Sequence, residues 1–279
     1  MNSICSTDCC AVVLAAGMGK RMNSDIPKVL HELGGMPLAA HVLKKISEMG
    51  ITETYVVVGH QKDLVQNALA SYSTTSTSFV VQTEQLGTAH AVLQTFDSLQ
   101  KSLAKDVLVL YGDVPLISEN DIQALLQCSK EKSLSLVTIK LEHPFGYGRI
   151  LSDHDQNVKK IVEEKDCNFE QKKIQEVNCG IYRFERQFLL EFLKIVASQN
   201  IQREFYLTDL IEIAYNQKVS IQSVQTQDVY AVSGVNSRKE LALLEKVYQE
   251  RLISHFQENG VTFLKPESCF LTAQVIIEK

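Results

Sequence analysis

The stretch Cys10-Ala11-Val12-Val13-Leu14-Ala15-Ala16-Gly17-Met18-Gly19-Lys20-Arg21-Met22 opens as a short β-branched apolar run and breaks into two glycines. Such a run reads as a buried strand entering a loop. Small residues and glycines after a strand let backbone N–H groups approach a phosphate chain, because no Cβ stands in the way and positive φ is tolerated. A lone Gly-x-Gly is commonly a tight turn, but here Arg21 and, behind Pro27, Lys28 add the positive charge a phosphate site requires. The loop is not a Walker loop, which needs Gly-Lys-Ser/Thr at the helix start. Nor is it the dinucleotide Gly-x-Gly-x-x-Gly fingerprint, since Met22 stands where the third glycine belongs. A nucleotide chemistry outside both classes is implied.

The same rhythm continues downstream. Pro37 sits at the first turn of a helix running to about Met49, where Gly50 can cap it. Thr54 to Val58 reads as a strand, Gln61 to Ala70 as a helix, and the Ser/Thr-rich segment Ser71 to Ser78 as a loop. Phe79 to Gln82 is a third strand, Thr88 to Phe96 a helix and Asp106 to Tyr111 a fourth strand. Alternating apolar strands and amphipathic helices predict an α/β domain, a doubly wound and mainly parallel sheet with helices on both faces. Ligands of such sheets bind beyond the carboxyl ends of the strands, which points to the loops after Ala15, Gln82 and Tyr111.

From Ser133 onward the strands come closer together. Leu134 to Lys140, Arg149 to Leu151, Val158 to Val162 and Val177 to Phe184 predict an added small sheet layer. A C-terminal helix from Ser237 to about Phe256, apolar at Leu241, Leu244, Val247, Tyr248 and Leu252, closes the body. The expected division is a nucleotide-transferring domain over 1–236, a linking helix over 237–260 and a short tail over 261–279.

Composition narrows the partners. With 279 residues, 45% of them apolar and 22% charged, the chain can bury a real core. Its 28 basic and 33 acidic residues leave a formal charge of −5, and no Lys/Arg block suggests a nucleic-acid or membrane patch. No apolar run approaches a membrane span, and the start lacks the pattern of an export signal. Seven cysteines, including the group Cys5, Cys9 and Cys10, lack CxxC spacing and read as ordinary thiols of a reduced, cytoplasmic protein. The seven histidines are scattered, without metal-ligand spacing, and read as structural or surface groups.

At the end of the fourth strand, Tyr111-Gly112-Asp113-Val114-Pro115 puts one carboxylate on a solvent-facing carboxyl edge of the sheet. Magnesium takes one or two protein oxygens and keeps phosphate oxygens and waters, so a single Asp can be enough of a motif.

Taken with the following Pro27-Lys28 and Val29-Leu30-His31, the stretch Leu14 to Met22 resembles the LAAGxGxRM and PK signature of the sugar-phosphate nucleotidyltransferases. Within them it is similar to the bacterial uridylyltransferases that act on N-acetylglucosamine 1-phosphate. The resemblance implies transfer of UMP from UTP to that sugar phosphate, with Mg2+ as cofactor and release of pyrophosphate. It implies that Leu14, Ala15, Ala16, Gly17 and Gly19 wrap the nucleotide, that Arg21 holds the departing phosphates and that Lys28 acts at the reacting centre. Gln82, Gln85, Gly87 and Thr88, in Gln82-Thr83-Glu84-Gln85-Leu86-Gly87-Thr88-Ala89-His90, are implied to read the uracil, with Tyr111 and Gly112 completing the nucleotide site. An amide side chain both gives and accepts hydrogen bonds, as the imide edge of uracil demands.

Asp113 is implied to share the metal with Asn236 of Gly234-Val235-Asn236-Ser237. Gly148, Glu163, Lys165, Asn178, Tyr206 and Thr208, in motifs that match GYGR, VExKD, NxG and the Glu204-to-Asp209 run, are implied to hold the sugar. Two positions depart from the pattern. Lys20 replaces a usual Thr or Ser, and Cys179 follows Asn178 where Thr or Ala is common. Related chains continue into a left-handed β-helix that carries an acetyltransferase. Here only Val275-Ile276-Ile277-Glu278 resembles the start of one coil, so no acetyltransferase activity is expected, and a separate acetyltransferase would supply the substrate if the chain is complete.

Overall fold

In the computed structural model, which describes residues 8–74, 76–128, 133–196, 198 and 200–277, the opening apolar run is the central strand of the sheet. In chain order the elements are β1 (Cys9–Leu14), β2 (Glu32–Leu33), β3 (Met36–Pro37), α1 (Leu38–Glu48), β4 (Thr54–Val58), α2 (Lys62–Leu69) and β5 (Thr77–Val81). They continue with α3 (Thr88–Leu93), α4 (Phe96–Lys101), β6 (Asp106–Tyr111), α5 (Glu119–Gln127), β7 (Ser133–Lys140), β8 (Arg149–Ser152) and β9 (Val158–Val162). The last are β10 (Glu176–Glu185), α6 (Arg186–Phe192), α7 (Asp209–Asn216), β11 (Ser220–Gln225) and α8 (Arg238–Glu258).

The main sheet runs β11-β7-β10-β6-β1-β4-β5. Pairings of β1 with β4 and β6, of β4 with β5 and of β11 with β7 are parallel, while β10 runs against both its neighbours. Every residue of β1 is buried, and its alternation feeds two cores. Cys9, Ala11 and Val13 pack with α1, α2 and α5, whereas Cys10, Val12 and Leu14 pack with α3, α4, α6 and α7. A strand hydrophobic on both faces is what a doubly wound sheet requires. The same alternation puts the neighbouring thiols of Cys9 and Cys10 in opposite cores, so they share no metal; burial pushes both thiols up, that of Cys10 to about 12. Cys5 lies outside the described residues.

The chain leaves β1 toward β4 and β5 on one side and later places β6 on the other. The strand order therefore reverses at β1, and a crevice opens beyond the carboxyl ends of β1 and β6. The glycine loop and the Asp113 loop meet there. A third, smaller cluster of Met22, Leu33, Leu38, Val235 and Leu244 sits under α8, tying the end of the glycine loop to the segment that carries Asn236.

The structure amends the expected elements in places. The strand expected from Phe79 starts at Thr77, inside the segment read as loop, because Thr77 and Ser78 pair with Thr54 and Tyr55 of β4. The helix expected over Thr88 to Phe96 is two helices: Thr95 turns its hydroxyl back to the Val92 carbonyl at 2.7 Å and breaks the run. The added small layer is the antiparallel β8–β9 hairpin hung on β10, while β7 and β10 join the main sheet. Among the described residues, 275–277 form no strand, and Glu278 lies outside them. The tail lies along α8 through paired bonds between Gln249 and the Leu271 backbone. No helix among the described residues is long and apolar enough to cross a membrane.

Candidate active site

The crevice holds a cavity of about 280 Å³ lined by Leu14, Ala16 and Gly17 of the glycine loop, Gln82, Gln85, Gly87 and Thr88 after β5, and Tyr111, Asp113, Lys28 and Glu204. These come from chain segments nearly 200 residues apart, yet most lie at strand ends or helix starts, with Gln85 and Glu204 on the loops between them. Gln85 donates from its side chain to the Ala16 carbonyl at 2.7 Å, fastening the β5 loop to the glycine loop. Gly19 has φ +61°, and a Cβ there would stand 2.6 Å from Lys28 Cβ, so only glycine lets the loop close over Lys28. Ala15 and Gly112 shape the floor by donating to the Val57 and Leu14 carbonyls rather than by lining the cavity. Arg21 is exposed on the turn after Gly19 and stands outside the lining.

At one corner Lys28 Nζ donates to Asp113 Oδ2 in a short ion pair and to Asn236 Oδ1 at 3.1 Å. Asp113 is 7% exposed, buried rather than facing solvent as the sequence suggested, because the Val235 N–H holds its carbonyl and the 234–236 segment folds over it. Asn236 is fixed in turn: its N–H donates to Glu240 Oε2 at 2.7 Å, and Ser237 caps α8 by accepting from the Glu240 N–H. Two oxygens converging on one positive group are the donor set of a hard cation. No group of three or more His, Cys, Asp or Glu suited to a metal occurs among the described residues. An ion that takes few protein ligands and completes its shell with phosphate therefore fits this corner.

At the opposite end, Gly87 has φ +115° and lies against the Phe205 backbone; a Cβ would meet Phe205 O at 2.6 Å. Leu86 O and Ala89 N bond that same residue, and the Leu207 N–H donates to Thr88 Oγ1 at 2.9 Å. Gln82 is buried, its Nε2 donating to Gly87 O and meeting His90 Nδ1.

The expected sugar residues gather beyond Tyr111. Gly180, at φ +75°, sits where a Cβ would be 2.8 Å from the Tyr111 ring, and Gly148 lies against Ile161 and Glu163. Thr208 donates to Glu163 Oε1 at 3.0 Å, and burial pushes the Glu163 carboxyl up against that bond. Asn178 is spent largely within the fold, accepting from Gly180 N and donating to Tyr182 Oη. Lys165 does not join them: it is exposed and bonds Gln202, which donates to the Tyr206 hydroxyl at 2.6 Å. A second cavity of about 530 Å³ opens beside Glu163, lined also by Asp166, Asn200, Tyr206, Asp209 and Glu212.

Sequence reasoning gave no site role to His90 or Gln202 and named Arg149 only as a member of the GYGR motif on the sugar side. His90, read as structural, touches the base-end amide; Gln202 links Lys165 to Tyr206; and buried Arg149 pairs with Glu164 at 2.7 Å, joining two sugar motifs. His90 and Arg149 stand inside quoted motifs and Gln202 lies two residues before one, and that placement was the signal the sequence offered.

The MobA-like NTP transferase domain profile matches residues 11–161. The chain is 40% identical over 269 residues to the bifunctional protein GlmU of Streptococcus uberis, covering 96% of this chain and 58% of that one. It is 42% identical over 255 residues to that of Saccharophagus degradans, covering 91% and 55%. It thus spans rather over half the length of these relatives. Among solved structures, a UDP-glucose pyrophosphorylase complexed with UDP-glucose superposes with a TM-score of 0.70 at 18% identity, over 87% of this chain and 98% of that one. HddC from Yersinia pseudotuberculosis complexed with GMP-PN gives 0.62 at 18%, over 86% and 99%. Both share the fold.

Proposed function

The chain belongs to the family of the MobA-like NTP transferase domain, and on that footing we propose that it transfers UMP from UTP to N-acetylglucosamine 1-phosphate and releases pyrophosphate. The observation that carries the reading is the meeting of Lys28, Asp113 and Asn236 at the mouth of a cavity whose walls are the glycine loop and the Gln82-to-Thr88 loop. The 40% and 42% identity to the two GlmU relatives over most of this chain, beside the motifs quoted from the sequence, supports the choice of nucleotide and sugar phosphate.

The attacking phosphate oxygen is already a nucleophile, so no general base is required and catalysis rests on positioning and charge. Asp113 and Asn236 would hold Mg2+, which neutralises charge on the triphosphate when bound. Backbone N–H groups from Ala16 to Gly19 would cradle the phosphates, and Lys28, 16% exposed, supplies a cation near the reacting phosphorus. Arg21, on the exposed turn, meets the departing pyrophosphate. Glu163 and Thr208, locked together, offer oxygen partners to sugar hydroxyls.

Pyrophosphate release from UTP and Mg2+ is measured across a panel of sugar 1-phosphates, with Asp113→Asn as control. N-acetylglucosamine 1-phosphate should be used fastest and the variant should lose most turnover. Preference for glucose 1-phosphate, or no turnover at all, would overturn the proposal.

A further inference from the structure

The base end of the cavity contains a hydrogen-bond relay that neither the phosphate loop nor the metal corner needs. Gln82 is 4% exposed, and its backbone is fixed by a 2.7 Å bond from its N–H to the Val58 carbonyl. Its side-chain Nε2 donates to Gly87 O at 3.2 Å and meets His90 Nδ1 at 3.0 Å. An amide nitrogen carries two hydrogens, and both are thereby spent. No donor among the described residues reaches Oε1, so Gln82 presents an acceptor to the cavity. Turning the amide over would set Oε1 against the Gly87 carbonyl oxygen, two acceptors with no proton between them.

A neutral imidazole carries one hydrogen, so His90 can accept at Nδ1 only with that hydrogen on Nε2. Nε2 lies 3.1 Å from Gln94 Nε2, which donates to the His90 carbonyl at 3.0 Å, so a hydrogen on the ring Nε2 requires the half-exposed Gln94 side chain to turn aside; the ring itself is backed by Phe205 at 6.4 Å between centroids. His90 Nδ1 and the Gly87 carbonyl together thus fix which face of the buried amide the base meets.

We propose that His90 sets the choice of base: by holding Gln82 Nε2, it leaves Oε1 to select a pyrimidine that carries hydrogen on N3 and to reject cytosine, whose N3 is a lone pair. The inference rests on the nucleotidyl-transfer reading above. His90 acts through Gln82 and is a positioning residue.

The test compares kcat/KM for UTP and CTP with the same sugar phosphate in the native protein, in His90→Phe and in His90→Gln. The native protein should favour UTP strongly. In His90→Phe only the 3.2 Å bond to the Gly87 carbonyl still holds the amide, so its turned-over form costs less, and the UTP-to-CTP ratio should fall by about tenfold, the scale of one net hydrogen bond. In His90→Gln, whose carbonyl can accept the same N–H, the ratio should stay near native. Both nucleotides are read on one preparation, so the ratio is independent of the folded fraction. If His90→Phe abolishes turnover, the ratio of dissociation constants for the two nucleotides is read instead, with the same expectation. An unchanged ratio in His90→Phe, or a native protein indifferent to the base, overturns the role of His90. Absence of transfer from every nucleotide in the native protein instead removes the functional reading beneath it.

Discussion

Lys28 bridges two oxygens from distant parts of the chain, donating to Asp113 Oδ2 and, at 3.1 Å, to Asn236 Oδ1. The proposed metal ligands are the same two atoms, so an ammonium and a divalent ion compete for one position until phosphate oxygens give Lys28 another partner. Lys28→Met should therefore bind Mn2+ about tenfold more tightly than the native protein in the absence of nucleotide. It should also melt lower without metal, because buried Asp113 loses its counter-charge, and recover when Mn2+ is added. Calorimetric titration and melting curves check both; native protein binding Mn2+ as tightly as the variant would rule out the competition. Turnover should fall on the order of a hundredfold or more.

Gly87→Ala and Gly17→Ala should separate stability from binding. At Gly87, a φ of +115° and a Cβ position 2.6 Å from Phe205 O force backbone to move, at a cost of roughly 2 to 3 kcal/mol. At Gly17 nothing lies within 4 Å of the Cβ position, so stability should stay within about 0.5 kcal/mol while nucleotide affinity drops. Urea unfolding with and without UTP reads both, and equal destabilisation by the two changes would show that the Phe205 contact is not what demands glycine.

How much of this was legible follows from where each signal resides. The run from Cys10 to Leu14 announced a strand buried on both faces, and the loop after it announced phosphate, because both are local patterns. β11 was missed because Ser220-Ile221-Gln222-Ser223-Val224-Gln225 is an edge strand with little to bury, identified only by its pairing with β7. α5, α6 and α7 are short amphipathic helices whose apolar residues match either period over so few positions. In the site, motif members could be named one by one. That Lys28 bonds both Asp113 and Asn236, that Lys165 turns outward and that His90 meets Gln82 are relations of the folded chain, and no spacing encodes them.

Arg149 and Glu164 should respond unequally to substitution. Arg149 is 2% exposed and donates to both Glu164 and the Tyr147 carbonyl, whereas the Glu164 side chain is 19% exposed and can take water. Glu164→Gln strands a buried guanidinium and should cost about 3 kcal/mol; Arg149→Met leaves a carboxylate that can hydrate and should cost less. Chemical denaturation orders the two, and the reverse order would mean that Arg149 is held mainly by the backbone carbonyl.

Asp209 makes the fold sensitive to pH in a direction that can be worked out. Burial, partly offset by Lys160 and reinforced by Glu212 and Asp166, pushes its carboxyl up to about 6. An unfolded Asp titrates at about 3.9, so between those values the native state holds more protons than the unfolded one, and stability falls as pH rises through this window. Two pKa units correspond to roughly 3 kcal/mol, but Asp209 is half-exposed, and solvent screening reduces the effect to about 1 kcal/mol. Asp209→Asn removes the ionisation. Relative to native, the variant should gain about 2 to 4 °C in Tm on going from pH 4 to pH 7. The comparison between pH values cancels any pH-independent loss from placing Asn instead of Asp at the first turn of α7; the attraction of the helix N-terminus for the ionised carboxylate grows with pH and opposes the burial effect. Melting curves at half-unit intervals measure the difference, and a flat line, or a relative loss in the variant toward pH 7, would show that burial does not dominate at Asp209.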